Sequence, residues 1–174
     1  MRRRLTSLPL LLTVVVVIAL HYAGNVWARE GNTGFAATTL GVGRFGEIDV
    51  IPPNFKLDRN KGTPWESWQK TSGFSDLYVQ SNVWQPGGST GWHTHPGHSL
   101  IIVTAGAVTE YDADDPKCKP SVHTEGMGFV DAGGHHVHIL RNEGAVEART
   151  IAVQLIPADA MQRIEAQDPG NCHF

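Results

Sequence analysis

The chain has 174 residues, with 14 Lys and Arg against 17 Asp and Glu, for a formal net charge of −3. That length suits one ordinary domain. The charge balance, with no basic stripe anywhere, excludes a DNA or RNA interface. The chain opens on Arg2, Arg3 and Arg4, followed by an apolar run over 8–20 broken only by Pro9 and Thr13, and Val26-Trp27-Ala28 stand before Arg29. This order of basic start, apolar run and small residues predicts a signal peptide over 1–28, cut after Ala28, and hence a secreted or periplasmic protein. An N-terminal membrane anchor is the alternative reading. Against it, the apolar segment is shorter than the roughly 20 residues a span needs, and it carries Thr6, Ser7 and Thr13. Cleavage removes three positive charges and no negative ones, leaving a mildly acidic domain with no membrane segment.

Residues 29–71 read as an irregular N-terminal arm. Gly41, Gly43, Gly46, Pro52, Pro53, Gly62 and Pro64 interrupt it and leave one short extended candidate over 45–51. Trp65 and Trp68 are three apart and read as cover for a core edge rather than a sugar platform. Strand signals then dominate: 77–84, 100–104, 107–111, 122–125, 128–130, 136–141 and 146–156. In 107–111, Val108 and Glu110 point one way and Thr109 and Tyr111 the other. Only 158–166 has helical character, with Met161, Ile164 and Glu165 spaced for one face. Many short strands separated by turn signals predict an all-β sandwich or small barrel over 72–174. Cys118 and Cys172 are the chain's two cysteines. In an oxidising compartment they are expected to pair, closing a loop worth roughly 4 kcal/mol in chain entropy.

The histidines carry the chemistry. Six of nine, His93, His95, His98, His135, His136 and His138, fall in two knots about forty residues apart. Residues two apart on a strand face the same side, so His93 and His95 aim two imidazoles into one space. Neutral imidazole nitrogens suit divalent Fe, Mn, Zn, Ni or Cu, and a third ligand from a distant strand makes a facial set with open positions.

The order Gly87, five residues, His93-Thr94-His95 and then Gly106 resembles the first motif of the cupins, and His138 with Asn142 resembles the end of their second. Gly91-Trp92-His93-Thr94-His95-Pro96-Gly97 is similar to a branch of exported bacterial cupin-domain proteins. The resemblance covers about residues 77 to 157. It implies a single jelly-roll-like β-barrel with both motifs converging on a metal in its mouth, and relatives of this kind commonly form homodimers. Two departures stand out. The position at which the first motif carries Glu is Ser99, which leaves an all-histidine set of His93, His95 and a histidine of the second motif. Counting forward from Gly133 selects His136, and counting back from Asn142 selects His138. His138 is preferred because its spacing to Asn142 lies within one strand while the glycine end is a loop. His136 is then a supporting donor or spare ligand, and His98 a further candidate beside Ser99. His135 and His123 are expected on the surface.

Three function classes follow. The first is a metalloenzyme acting on a small anionic molecule, of dioxygenase type on Fe or isomerase type on Zn or Mn. The second is a non-catalytic metal or small-ligand binding or sensing protein, and the third an exported domain working through its surface. A general base is sought at Glu110 or Tyr111, only one of which can face inward.

Overall fold

In a computed structural model, residues 31–50 and 67–174 are described. The expected signal peptide over 1–28, and the part of the expected arm over 51–66 with Trp65, lie outside them. The elements in chain order are β1 (Thr33–Phe45), β2 (Asp49–Val50), β3 (Gln69–Lys70), β4 (Ser75–Ser89), β5 (His93–Thr94), β6 (Ser99–Ala105), β7 (Ala107–Asp112), β8 (Ser121–Thr124), β9 (Gly128–Asp131), β10 (His138–Arg141), β11 (Ala148–Pro157) and β12 (Ile164–Glu165). Every pairing is antiparallel. One face runs β9-β6-β11-β4-β1 and the other β8-β7-β10-β5-β12, with the far end of β4 joining them where Ser89 meets Arg141. The result is a nearly closed all-β barrel, the architecture that the cupin resemblance implies. The small β2–β3 pair stands apart from this sheet.

Side-chain alternation explains why the wall closes around a core. On β10, His138 and Leu140 point into the barrel while Ile139 points out. Leu140 joins Trp84, Val108 and Ala148 inside, flanked by Phe35 and Phe129. Ile139 joins Trp92, Tyr111 and Cys172 in an outer layer. Full burial of each large apolar side chain contributes about 1.5–3 kcal/mol, so the inner cluster supplies a floor on which polar groups can be held. The outer layer is tied down by the expected disulfide: Cys118 and Cys172 are bonded, with Cα atoms 5.2 Å apart. Such a bond fits an oxidising compartment. No helix among the described residues is long and apolar enough to cross a membrane.

Three expectations are corrected. The arm expected to be irregular contains β1, thirteen residues long and paired along β4. Register shifts at Thr33/Phe35 and Thr39/Gly41 take up Gly34 and Leu40, while Gly41 and Gly43 pair in register with Val79 and Leu77. The expected helix over 158–166 is instead a turn leading into β12, which pairs with β5. A single helical turn after Pro157 gains too little to nucleate, and the open edge of β5 offers backbone partners. Trp68 covers no core edge, being 67% exposed.

Arg44 fastens β1 to β4. Its guanidinium donates to both oxygens of Asp76, at 2.8 and 2.9 Å, and also to Asp159. The Arg44 hydrogen bonds hold the Asp76 carboxyl down at about 2, against an ordinary value of 3.8. A carboxylate with a depressed folded-state value stabilises above its ordinary value and loses that contribution as pH falls through the folded one. Asp76→Asn is therefore expected to lower the melting temperature at pH 5 to 7, with the gap to wild type closing as pH is taken to about 2. Melting curves across that range check it.

Candidate metal centre

The two histidine knots meet because β5 and β10 are neighbours. Their ladder has one register pair, and it joins His93 to His138. His95 follows two residues after His93, as β5 ends. A clasp between the loops behind them fixes its place: Gly134 N donates to the His95 carbonyl at 2.6 Å, and Thr94 Oγ1 donates to the Gly134 carbonyl at 2.8 Å. Gly133, between the loops, has φ +66°, and any side chain there would strike the Gly97 carbonyl.

His93, His95 and His138 each offer a ligand atom within 4.8 Å of the others. They line a cavity of about 190 Å³ together with Trp84, Ile101 and Leu140. His93 and His138 are buried and His95 is partly exposed. Each ring is fixed by an acceptor at Nδ1. Nδ1 of His93 donates to the Gly91 carbonyl at 2.9 Å, that of His95 to the Gln162 carbonyl at 2.5 Å, and that of His138 to Glu110 Oε1 at 3.1 Å. The Gln154 amide nitrogen stands 2.8 Å from His95 Nδ1 and donates to the same Gln162 carbonyl, while the shorter contact from Nδ1 to that carbonyl places the His95 proton on Nδ1. Because carbonyl and carboxylate oxygens cannot donate, each Nδ1 carries a proton and each Nε2 is left turned to the cavity, as a lone pair wherever the ring is neutral. The Nε2 atoms of His93 and His138 are 3.3 Å apart.

Two lone pairs at that distance repel unless a proton or a metal ion lies between them. Tetrahedral ligands at the usual 2.0–2.1 Å imidazole–zinc distance would be roughly 3.3–3.4 Å apart, so the donor set and its spacing fit a divalent transition metal. Burial, with each other's charge and that of Arg163, holds the His93 imidazole well below its ordinary pKa, and burial lowers His95 as well. Both are therefore neutral near pH 7, the state a ligand needs.

The remaining candidates are placed elsewhere. His98 does not join the set: it is exposed and lines a separate depression with Trp68 and Phe74. Its side chain points outward because Ser99, next along, points in. His136 sits outside the triad, with Nε2 donating to Asp112 at 2.7 Å. Glu110, His136 and His138 form a second close set, but the contact between Glu110 and His138 is the orienting hydrogen bond already described. His135 is exposed as expected. His123 is not on the surface as expected: it stacks on Phe129 at 4.0 Å and donates to Glu110 Oε2 at 3.2 Å. Glu110 faces inward and Tyr111 outward, where its hydroxyl donates to Glu143 at 2.7 Å. Burial pushes the Glu110 carboxyl up, but the bonds to His138 and His123 outweigh it and hold the group below its ordinary value. Committed to two imidazoles, it is a positioning anion rather than a free base.

Glu110→Gln keeps the shape and removes the charge. Metal affinity is expected to fall by about 10- to 100-fold, the range for partners that orient a ligating histidine, while the fold is retained. Competition against a chromophoric chelator measures it.

No protein-family model matches the chain, and no curated protein matches it either. Among solved structures it is similar to a conserved protein of unknown function from Streptococcus pyogenes (18% identity, TM-score 0.40, covering 47% of this chain and 65% of that one). The chain thus spans just under two thirds of that protein. It is similar to a cupin superfamily protein from Desulfitobacterium hafniense (15%, 0.40, 46% and 67%). A third is a predicted oxalate decarboxylase from Thermotoga maritima (18%, 0.39, 49% and 83%).

Proposed function

We propose that this cupin-type barrel binds one divalent transition metal through His93, His95 and His138 and presents it to a small anionic molecule entering the cavity. One observation carries the reading: three Nδ1 atoms, each tied to its own acceptor, turn three Nε2 lone pairs into one space where His93 and His138 stand 3.3 Å apart. A bound ion supplies Lewis acidity toward a ligand oxygen. The protein's part is to hold the imidazoles oriented, and to wall the cavity with Trp84, Ile101 and Leu140. The preference for an anion rests on the all-imidazole ligand set, which leaves a bound ion's charge uncompensated, and on Arg163, which lines the same cavity with its guanidinium held by Glu165 and the Thr90 carbonyl.

A binding or sensing role is the second reading. Neither Glu110 nor Tyr111 is among the groups that line the cavity, so a free proton acceptor is missing from the places where one was sought. Protein purified without chelator is expected to carry close to one equivalent of transition metal by elemental analysis. Stripped protein is expected to take up one equivalent of Zn²⁺ in titration. Failure to bind any such ion rules out both readings. Oxygen uptake by Fe(II)-loaded protein over a panel of small keto and hydroxy acids separates enzyme from binder.

A further inference from the structure

Asp131, at the end of β9, is fully buried, yet one of its oxygens has no hydrogen-bond partner. The other oxygen, Oδ1, accepts from Gly133 N at 2.9 Å and lies 3.6 and 3.9 Å from Nδ1 of His136 and His138. The unpartnered Oδ2 lies 3.4 Å from His95 Nε2. That nitrogen has no proton to give, because the proton of His95 is on Nδ1, donated to the Gln162 carbonyl. A carboxylate oxygen and an imidazole nitrogen thus face each other inside the barrel with no hydrogen bond between them. Leaving a buried carboxylate oxygen unpaired is costly in general, and a cation sharing the space relieves that cost. Asp131 is also the one carboxylate among the described residues that line the cavity.

Resting on the metal-binding reading above, we infer that Asp131 is the anionic member of the centre, supplying the negative charge that an all-histidine ligand set lacks. The register supports it: Asp131 on β9 pairs with Ser99 on β6, and Ser99 is buried and lines the same cavity. The carboxylate therefore reaches the site from one strand farther along the sheet. A divalent ion beside one carboxylate keeps net positive charge, so the centre still favours an anionic ligand.

Asp131→Asn preserves shape and the acceptor for Gly133 N while removing the charge. Stripped wild type, D131N and the double variant S99E/D131N are titrated with Zn²⁺ against a chromophoric chelator. The expected result is one tight site in wild type, a 10- to 100-fold weaker site in D131N, and at least a tenfold recovery in S99E/D131N, which returns a carboxylate from the paired strand. D131N binding within twofold of wild type overturns the assignment while leaving the histidine site intact. An absence of binding in wild type overturns the histidine site itself, and this inference with it. If D131N does not fold, the double variant decides: tight binding supports a charge requirement, and a folded protein without tight binding defeats it.

Discussion

Replacing His95 with alanine is expected to lower Zn²⁺ affinity by more than about a hundredfold while the barrel stays folded. The size follows from comparison: partners that merely orient a ligand are worth about 10- to 100-fold, and His95 is proposed as a ligand itself. The fold should survive because His95 is the partly exposed member of the three, held by a backbone carbonyl and one glutamine rather than by the apolar core. Burial also disfavours its charged form, so the ring is not a large source of stability in acid. His98→Ala is the control. It lies three residues away and exposed, and its removal should leave affinity unchanged. Chelator competition and a melting curve on each variant check both statements. Wild-type affinity in H95A would remove the histidine set from consideration.

The second large effect is expected from breaking the disulfide. Cys118→Ser with Cys172→Ser should cost about 2–5 kcal/mol and roughly 10 °C in melting temperature. The bond joins positions 54 apart in sequence, and Cys172 is buried against Trp92, Tyr111 and Ile139. Releasing it uncovers the outer face of β10, whose inner face carries His138. The backbone of Trp92, next to His93, is also tied to this layer by the hydrogen bond from Ala166 N. Zinc affinity should therefore fall together with stability, whereas H95A separates the two. Melting and titration of wild type with and without a thiol reductant give the same comparison without mutation.

Most of the barrel was legible because its strands alternate cleanly. Val108 and Glu110 do share the inner face, and the two-residue spacing of His93 and His95 did put both rings on one cavity. The choice of His138 over His136 could be made from its distance to Asn142, and the structure brings His138, not His136, beside His93. What could not be read has physical reasons. β1 buries little of either face, so it carries no apolar alternation, and its glycines look like breaks until the partner strand is seen. The segment over 158–166 has helical spacing, but tertiary pairing with β5 decided its form. His123 looked like surface because nothing in its neighbours along the chain announces Phe129 and Glu110. Asp131 is a lone acid before Ala132-Gly133-Gly134, and only the pairing of β9 with β6 reveals that it stands across from Ser99. Gln154 and Gln162 likewise reach His95 across long sequence separations.

The short ladder between β5 and β10 has a consequence of its own. With a single paired position there and only two residues in each of β5 and β12, the seam beside the histidines is thinly stitched by backbone bonds. An ion gripped by His93 and His138, as proposed, would rivet that seam from inside. At a free concentration a hundred times its dissociation constant it would add about 2.7 kcal/mol to the folded state. Its departure would then be timed by how often the seam breathes rather than by the width of the cavity's mouth.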